Sequence, residues 1–88
     1  MNQVWKYNIN PDDYTSLEIP KDANVLSVGE QFGNVCIWVM VEPSKNKETR
    51  KFRLAGTGHP INELYLSFVG TVQLDGGSMV FHLFEILS

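Results

Sequence analysis

The chain is poor in the residues on which small catalytic and metal-binding domains depend. Its 88 residues include one cysteine, Cys36, and two histidines, His59 and His82. A lone cysteine forms no internal disulfide, which fits a reducing compartment. Cys36 sits in the apolar run Val35–Val41, where a small buried hydrophobe with a raised pKa is the ordinary outcome. No His-x-x-x-His or Cys-x-x-Cys spacing occurs, so neither a helical zinc pair nor a zinc ribbon is expected. No Gly-x-Ser-x-Gly elbow or Walker loop occurs either. Two-histidine phosphodiester chemistry of the familiar kind wants Ser or Thr two residues after each histidine. Ile61 and Phe84 stand there instead. We expect no enzyme and no cofactor.

Long apolar runs are also missing. No stretch approaches the ~18 apolar residues of a membrane span, and the opening Met1–Lys6 has no apolar core of a signal peptide. The expectation is a soluble, cytoplasmic protein without a membrane partner. Positive charge is scarce as well: seven Lys and Arg against ten Asp and Glu leave a net charge of −3. That balance argues against duplex nucleic acid, whose binding needs basic residues to neutralise phosphates.

The basic residues that do occur are clustered. Lys45, Lys47, Arg50, Lys51 and Arg53 fall within nine positions, leaving Lys6 and Lys21 elsewhere. Two readings stand side by side: a solvated edge whose lysines discourage aggregation, or a local anion site on an acidic body.

Hydrophobic residues make up 43% of the chain, ten of them Phe, Trp or Tyr, and their pattern is that of strands. Strands are expected at 4–9, 14–19, 25–31, 35–41, 49–55, 66–74 and 79–87. Asn10–Asp13, Phe32-Gly33-Asn34 and Asp75–Ser78 read as turns. Ile61–Tyr65 is either a helical turn or an irregular approach to the sixth strand. Gly70 marks a bulge or a close approach. The fold class is therefore all-β and mainly antiparallel: one domain over residues 1–88, a compact sandwich or small barrel of about seven strands. Strands 35–41 and 79–87 are apolar on both sides. Either they are central strands of a sandwich, or one of their faces lies in a homo-oligomer, which we expect.

The segment Arg50–Pro60 is the most suggestive functionally. Alternation turns Phe52 and Leu54 inward and Lys51, Arg53, Ala55 and Thr57 outward. Arg50 has inward parity but begins the strand. This basic stripe runs into Gly56-Thr57-Gly58-His59, whose amides could converge beside a hydroxyl and an imidazole. The expected ligand-binding set is Trp38, Arg50, Arg53, Thr57, Gly58 and His59, with Trp38 as a stacking wall. The bland alternative is a glycine bend and a histidine bonded to its neighbours.

Glu48-Thr49-Arg50, Phe52-Arg53, Gly56–Ile61, Val69–Leu74, Gly76-Gly77 and Val80–Glu85 together resemble a small domain family of phages and bacteria. Val4–Tyr7 and Ile37-Trp38 extend the likeness over nearly the whole chain. The family is of unknown function, and its members look similar to phage anti-CBASS sponges. The resemblance implies a phage-encoded oligomer in the host cytoplasm that sequesters a cyclic nucleotide signal, such as 3′3′-cGAMP, without cleaving it. The alternative is a protein-interaction module that inhibits a host enzyme or builds a virion.

Overall fold

A computed structural model describes residues 1–87 and shows seven strands in two antiparallel sheets. The strands are β1 (Gln3–Asn8), β2 (Tyr14–Pro20), β3 (Asn24–Gln31), β4 (Asn34–Val41), β5 (Lys47–Gly56), β6 (Leu66–Leu74) and β7 (Met79–Ile86). All seven expected strands are present, with no end shifted by more than two residues. Asp75–Gly77 forms a short 3₁₀ turn in the last hairpin, and Ile61–Tyr65 is irregular rather than helical.

One sheet has the order β1-β4-β3 and the other β2-β5-β7-β6. They face each other as a sandwich, as their alternating patterns require. β4 contributes Val35, Ile37, Val39 and Val41 to the core, opposite Phe52, Leu54, Leu83 and Val72 of the larger sheet. The two doubly apolar strands, β4 and β7, are both interior strands of their sheets. Their second faces are part-buried, with Cys36 fully so, and the doubly apolar pattern fits interior strands of a sandwich without itself requiring an oligomer.

One side of the sandwich is drawn closed. β3 and β6 lie together across the boundary between the sheets. The approach is close enough that a Cβ on Gly70 would stand 2.8 Å from Val28 Cγ1. The register of β6 against β7 shifts between Phe68 and Gly70, so the expected irregularity is a bulge and a close approach at once.

The connection from β5 to β6 decides how the candidate site is built. β5 and β6 both run antiparallel to β7 between them, so they are parallel to each other. A parallel pair needs a crossover that returns the whole length of the sheet. Residues 57–65 make that return as irregular chain along the outer face of the larger sheet. They bury Arg53 and Ala55 on the way.

Candidate functional site

Strand register fixes the outer face of the four-stranded sheet row by row. Tyr14 pairs with Arg53, Arg53 with Phe84, and Phe84 with Phe68. The four side chains therefore form one row across all four strands, about 14 Å wide at the usual strand spacing. In the next row Ala55, His82 and Thr71 are partners. The row's ends are open: Tyr14 is 53% and Phe68 59% exposed. The Phe68 and Phe84 rings meet at 5.3 Å between centroids with a 55° tilt, within the range aromatic pairs prefer.

Arg53 holds this row together. Its guanidinium lies 5.2 Å from the centre of the Tyr14 ring, a cation–π distance. It donates to the carbonyls of Leu54 (3.1 Å) and Pro60 (2.8 Å), and pairs with Asp13 at 3.2 Å and Glu63 at 3.4 Å. Arg53 Nε and Glu63 Oε1, both buried without a hydrogen bond, face each other across that second contact. The Tyr14 hydroxyl donates to the other Glu63 oxygen at 2.6 Å, and this bond to a carboxylate raises the Tyr14 pKa. Arg53 was expected to face solvent beside a glycine loop. It is instead 6% exposed, because the crossover lies on top of it.

Arg50 is also committed. It makes a two-pronged ion pair with Glu85, at 2.6 and 2.7 Å, and donates to the Ala23 carbonyl. The Glu85 carboxylate raises the Arg50 pKa further. Inward parity places this pair at the edge of the core, where it forms part of the wall of an open groove of about 310 Å³ with Glu48, Lys51 and Leu87.

The Gly56–Pro60 loop is a tight turn closed by one bond of its own backbone and one to β7. His59 N–H donates to Gly56 O at 3.0 Å and Thr57 N–H to Val80 O at 3.3 Å. Gly58 adopts φ +87°, which glycine supplies without strain. Two of the amides expected to converge on an anion are thus used internally. The His59 ring lies over Gly56, where a Cβ would come within 3.0 Å of it. Thr57 and His59 do share one feature. With Gly56, Ser78, Met79, Val80 and Phe81 they line an open groove of about 400 Å³.

Trp38 is not part of that groove. It lies on the outer face of the three-stranded sheet, its ring so close to Gly29 that a Cβ there would stand 2.9 Å away. Arg53 and the aromatic row lie on the opposite outer face, across the thickness of the sandwich. The expected six-residue constellation therefore separates into four places: Trp38, Arg50, Arg53, and the turn with Thr57, Gly58 and His59.

Sequence reasoning missed the surroundings of His82. Its Nε2 is 2.8 Å from Thr57 Oγ1 and its Nδ1 is 2.9 Å from Thr71 Oγ1. Both hydroxyls accept or donate as needed, so the ring is satisfied in either tautomer. Pairing of Thr71 with His82 follows from the β6–β7 hairpin and was legible, but contact with Thr57 depends on the crossover. No group of three or more His, Cys, Asp or Glu is arranged to hold a metal among the described residues. No helix there is long and apolar enough to cross a membrane.

These features define an all-β sandwich domain with an aromatic, ion-paired outer face. The chain belongs to the family described as a domain of unknown function (DUF7352), which it matches over residues 1–87. No curated protein and no solved structure matches it.

Proposed function

We propose that this domain acts by binding rather than by turnover, and that a protein partner docks on the outer face of the four-stranded sheet. The observation that carries the reading is the in-register row Tyr14–Arg53–Phe84–Phe68, exposed at both ends and stiffened in the middle. Tyrosine, phenylalanine and arginine are the residues enriched at protein interfaces. A row already held by packing and ion pairs has little conformational freedom left to lose on association. Leu66 and Ile86, paired two positions along the strands from Phe68 and Phe84, continue the apolar surface on the same face. Asp13, 69% exposed at its side chain, borders the row. The complementary surface is therefore apolar at its centre with a basic group at its rim. Inhibition of a host enzyme is one use of such contact.

The test is a purified partner, recovered by cross-linking in cells, titrated against wild type and Phe68→Ser. Phe68 is 59% exposed, so the substitution leaves folding intact. An aromatic hot spot is worth about 2 kcal/mol or more, a loss of roughly thirtyfold in affinity. Equal affinity for both proteins would remove the reading.

A second reading is sequestration of a cyclic nucleotide without cleavage, as in a phage-encoded sponge acting in the host cytoplasm. It is favoured by the groove that Thr57, His59 and Ser78 share with Phe81. Phosphate would be held there by hydroxyls and imidazole, since both guanidiniums are engaged elsewhere. Calorimetric titration with a panel that includes 3′3′-cGAMP, followed by recovery of intact ligand on denaturation, decides it. No heat across the panel ends it.

A further inference from the structure

The β3–β4 hairpin turns through Phe32 and Gly33, with φ of +55° and +81°. Positive φ at both central positions is the type I′ turn, whose first position favours Asn, Asp or Gly. Among the described residues, three other than glycine have positive φ: Asp22, Phe32 and Asp75. Two of the three are aspartates, whose short polar side chains tolerate this region. A bulky side chain in the left-handed region costs roughly 1–2 kcal/mol, and Phe32 is also 90% exposed to water. Backbone and solvent both disfavour phenylalanine here, and neither cost is offset by a contact within the chain.

A cavity of about 140 Å³ lies at the same end of the sandwich. Ile9, Val35, Leu54, Leu74, Met79 and Phe81 give it apolar walls, and Gly33 and Asn34 stand on its rim. A dry apolar cavity of about 150 Å³ is enough for a benzene-sized group, so this one matches a single phenyl ring. The knob and the hole are neighbours, because the residue following Phe32 already lines the cavity. A surface carrying both is self-complementary about a two-fold axis.

We propose that this end of the sandwich is a self-association surface in which Phe32 of each copy enters the apolar cavity of the other. The reading is independent of the partner face, which lies on the broad outer surface of the larger sheet. The sandwich spans only 16 Å in its thinnest direction, so the contact belongs to the small, weak, concentration-dependent class. Asp12 and Asp75 are exposed beside the lining residues Pro11 and Leu74, and Glu30 accepts a bond from Gly33 N–H, three acids against one base, Lys6, whose ammonium donates to Gln31. Reciprocal docking brings these like charges together, and association therefore strengthens with salt as they are screened.

Sedimentation velocity over a wide concentration range tests this. Wild type should pass from monomer to dimer, at lower concentration in high salt, and saturating benzene should shift it back to monomer. Phe32→Asn should stay monomeric throughout with an unchanged or higher melting temperature, since Asn suits the turn. Wild type that remains monomeric at every concentration overturns the proposal. So does Phe32→Asn that dimerises like wild type, because the contact then lies on another face.

Discussion

Replacing Arg53 by methionine separates a structural arginine from a ligand-binding one. Methionine keeps most of the aliphatic length, so the substitution removes the guanidinium with little loss of packing. What remains is the Pro60 carbonyl without its 2.8 Å donor and the largely buried Glu63 carboxylate without its cation. Breaking a buried ion pair by deleting one partner costs about 3–5 kcal/mol. The Asp13 contact adds little, since that carboxylate is mostly in water. In a domain of this size each kcal/mol moves the melting temperature by about 4–8 °C, so a fall of at least ~12 °C is expected by calorimetry. Glu63→Gln in the same background should recover part of it, because the orphaned charge is then gone. A melting temperature within about 2 °C of wild type, the range of an ordinary surface substitution, would refute this account of Arg53.

Three other outcomes follow from the same packing. Gly70→Ala should destabilise by about 1–3 kcal/mol in urea unfolding, as overpacking does, and Val28→Ala should relieve it by removing the methyl at 2.8 Å. No relief would mean that β3 and β6 do not touch there. In alkaline titration Tyr14 should ionise later than an ordinary tyrosine, because its bond to Glu63 raises its pKa. Its folded pKa lies above the unfolded value near 10, so the stability it contributes is complete below about pH 10 and is lost as pH climbs through the folded pKa. Tyr14→Phe should abolish that lag and flatten the alkaline limb of the stability profile. Cys36 is 1% exposed and burial raises its thiol pKa, so an alkylating reagent should modify it only as fast as the sheet opens. Rapid labelling of the native protein would contradict the packing.

The strands were legible because each carries its own signal. Alternation in β1, Tyr-Thr-Ser-Leu-Glu-Ile in β2 and the glycine turns at 33 and 76 need no knowledge of what lies across the fold. Inward parity at Phe52, Leu54, Ile19 and Leu83 could be read in the same way, and all four are buried. Parity also correctly set Arg53 on the face opposite Phe52. It could not tell whether that face meets water, because exposure depends on the path of residues 57–65.

That path follows from the pairing order, which is non-local. If β5 and β6 had formed a simple hairpin, the Gly56–Pro60 turn would have joined them directly and left Arg53 in solvent. Inserting β7 between them makes them parallel and sends the connection back over the outer face. The carboxylate of Glu63 then arrives above Arg53 and the hydroxyl of Tyr14. A basic residue before a glycine loop is thus compatible with two opposite fates, an anion site or a buried anchor, and the position of one hairpin chooses between them. The aromatic surface arises from the same choice: β7 in the interior places Phe84 beside Phe68 on one flank and Arg53 on the other. The recognition face and the burial of the arginine are consequences of one topological step, so a change that released the crossover would expose the guanidinium and disorder the aromatic row together.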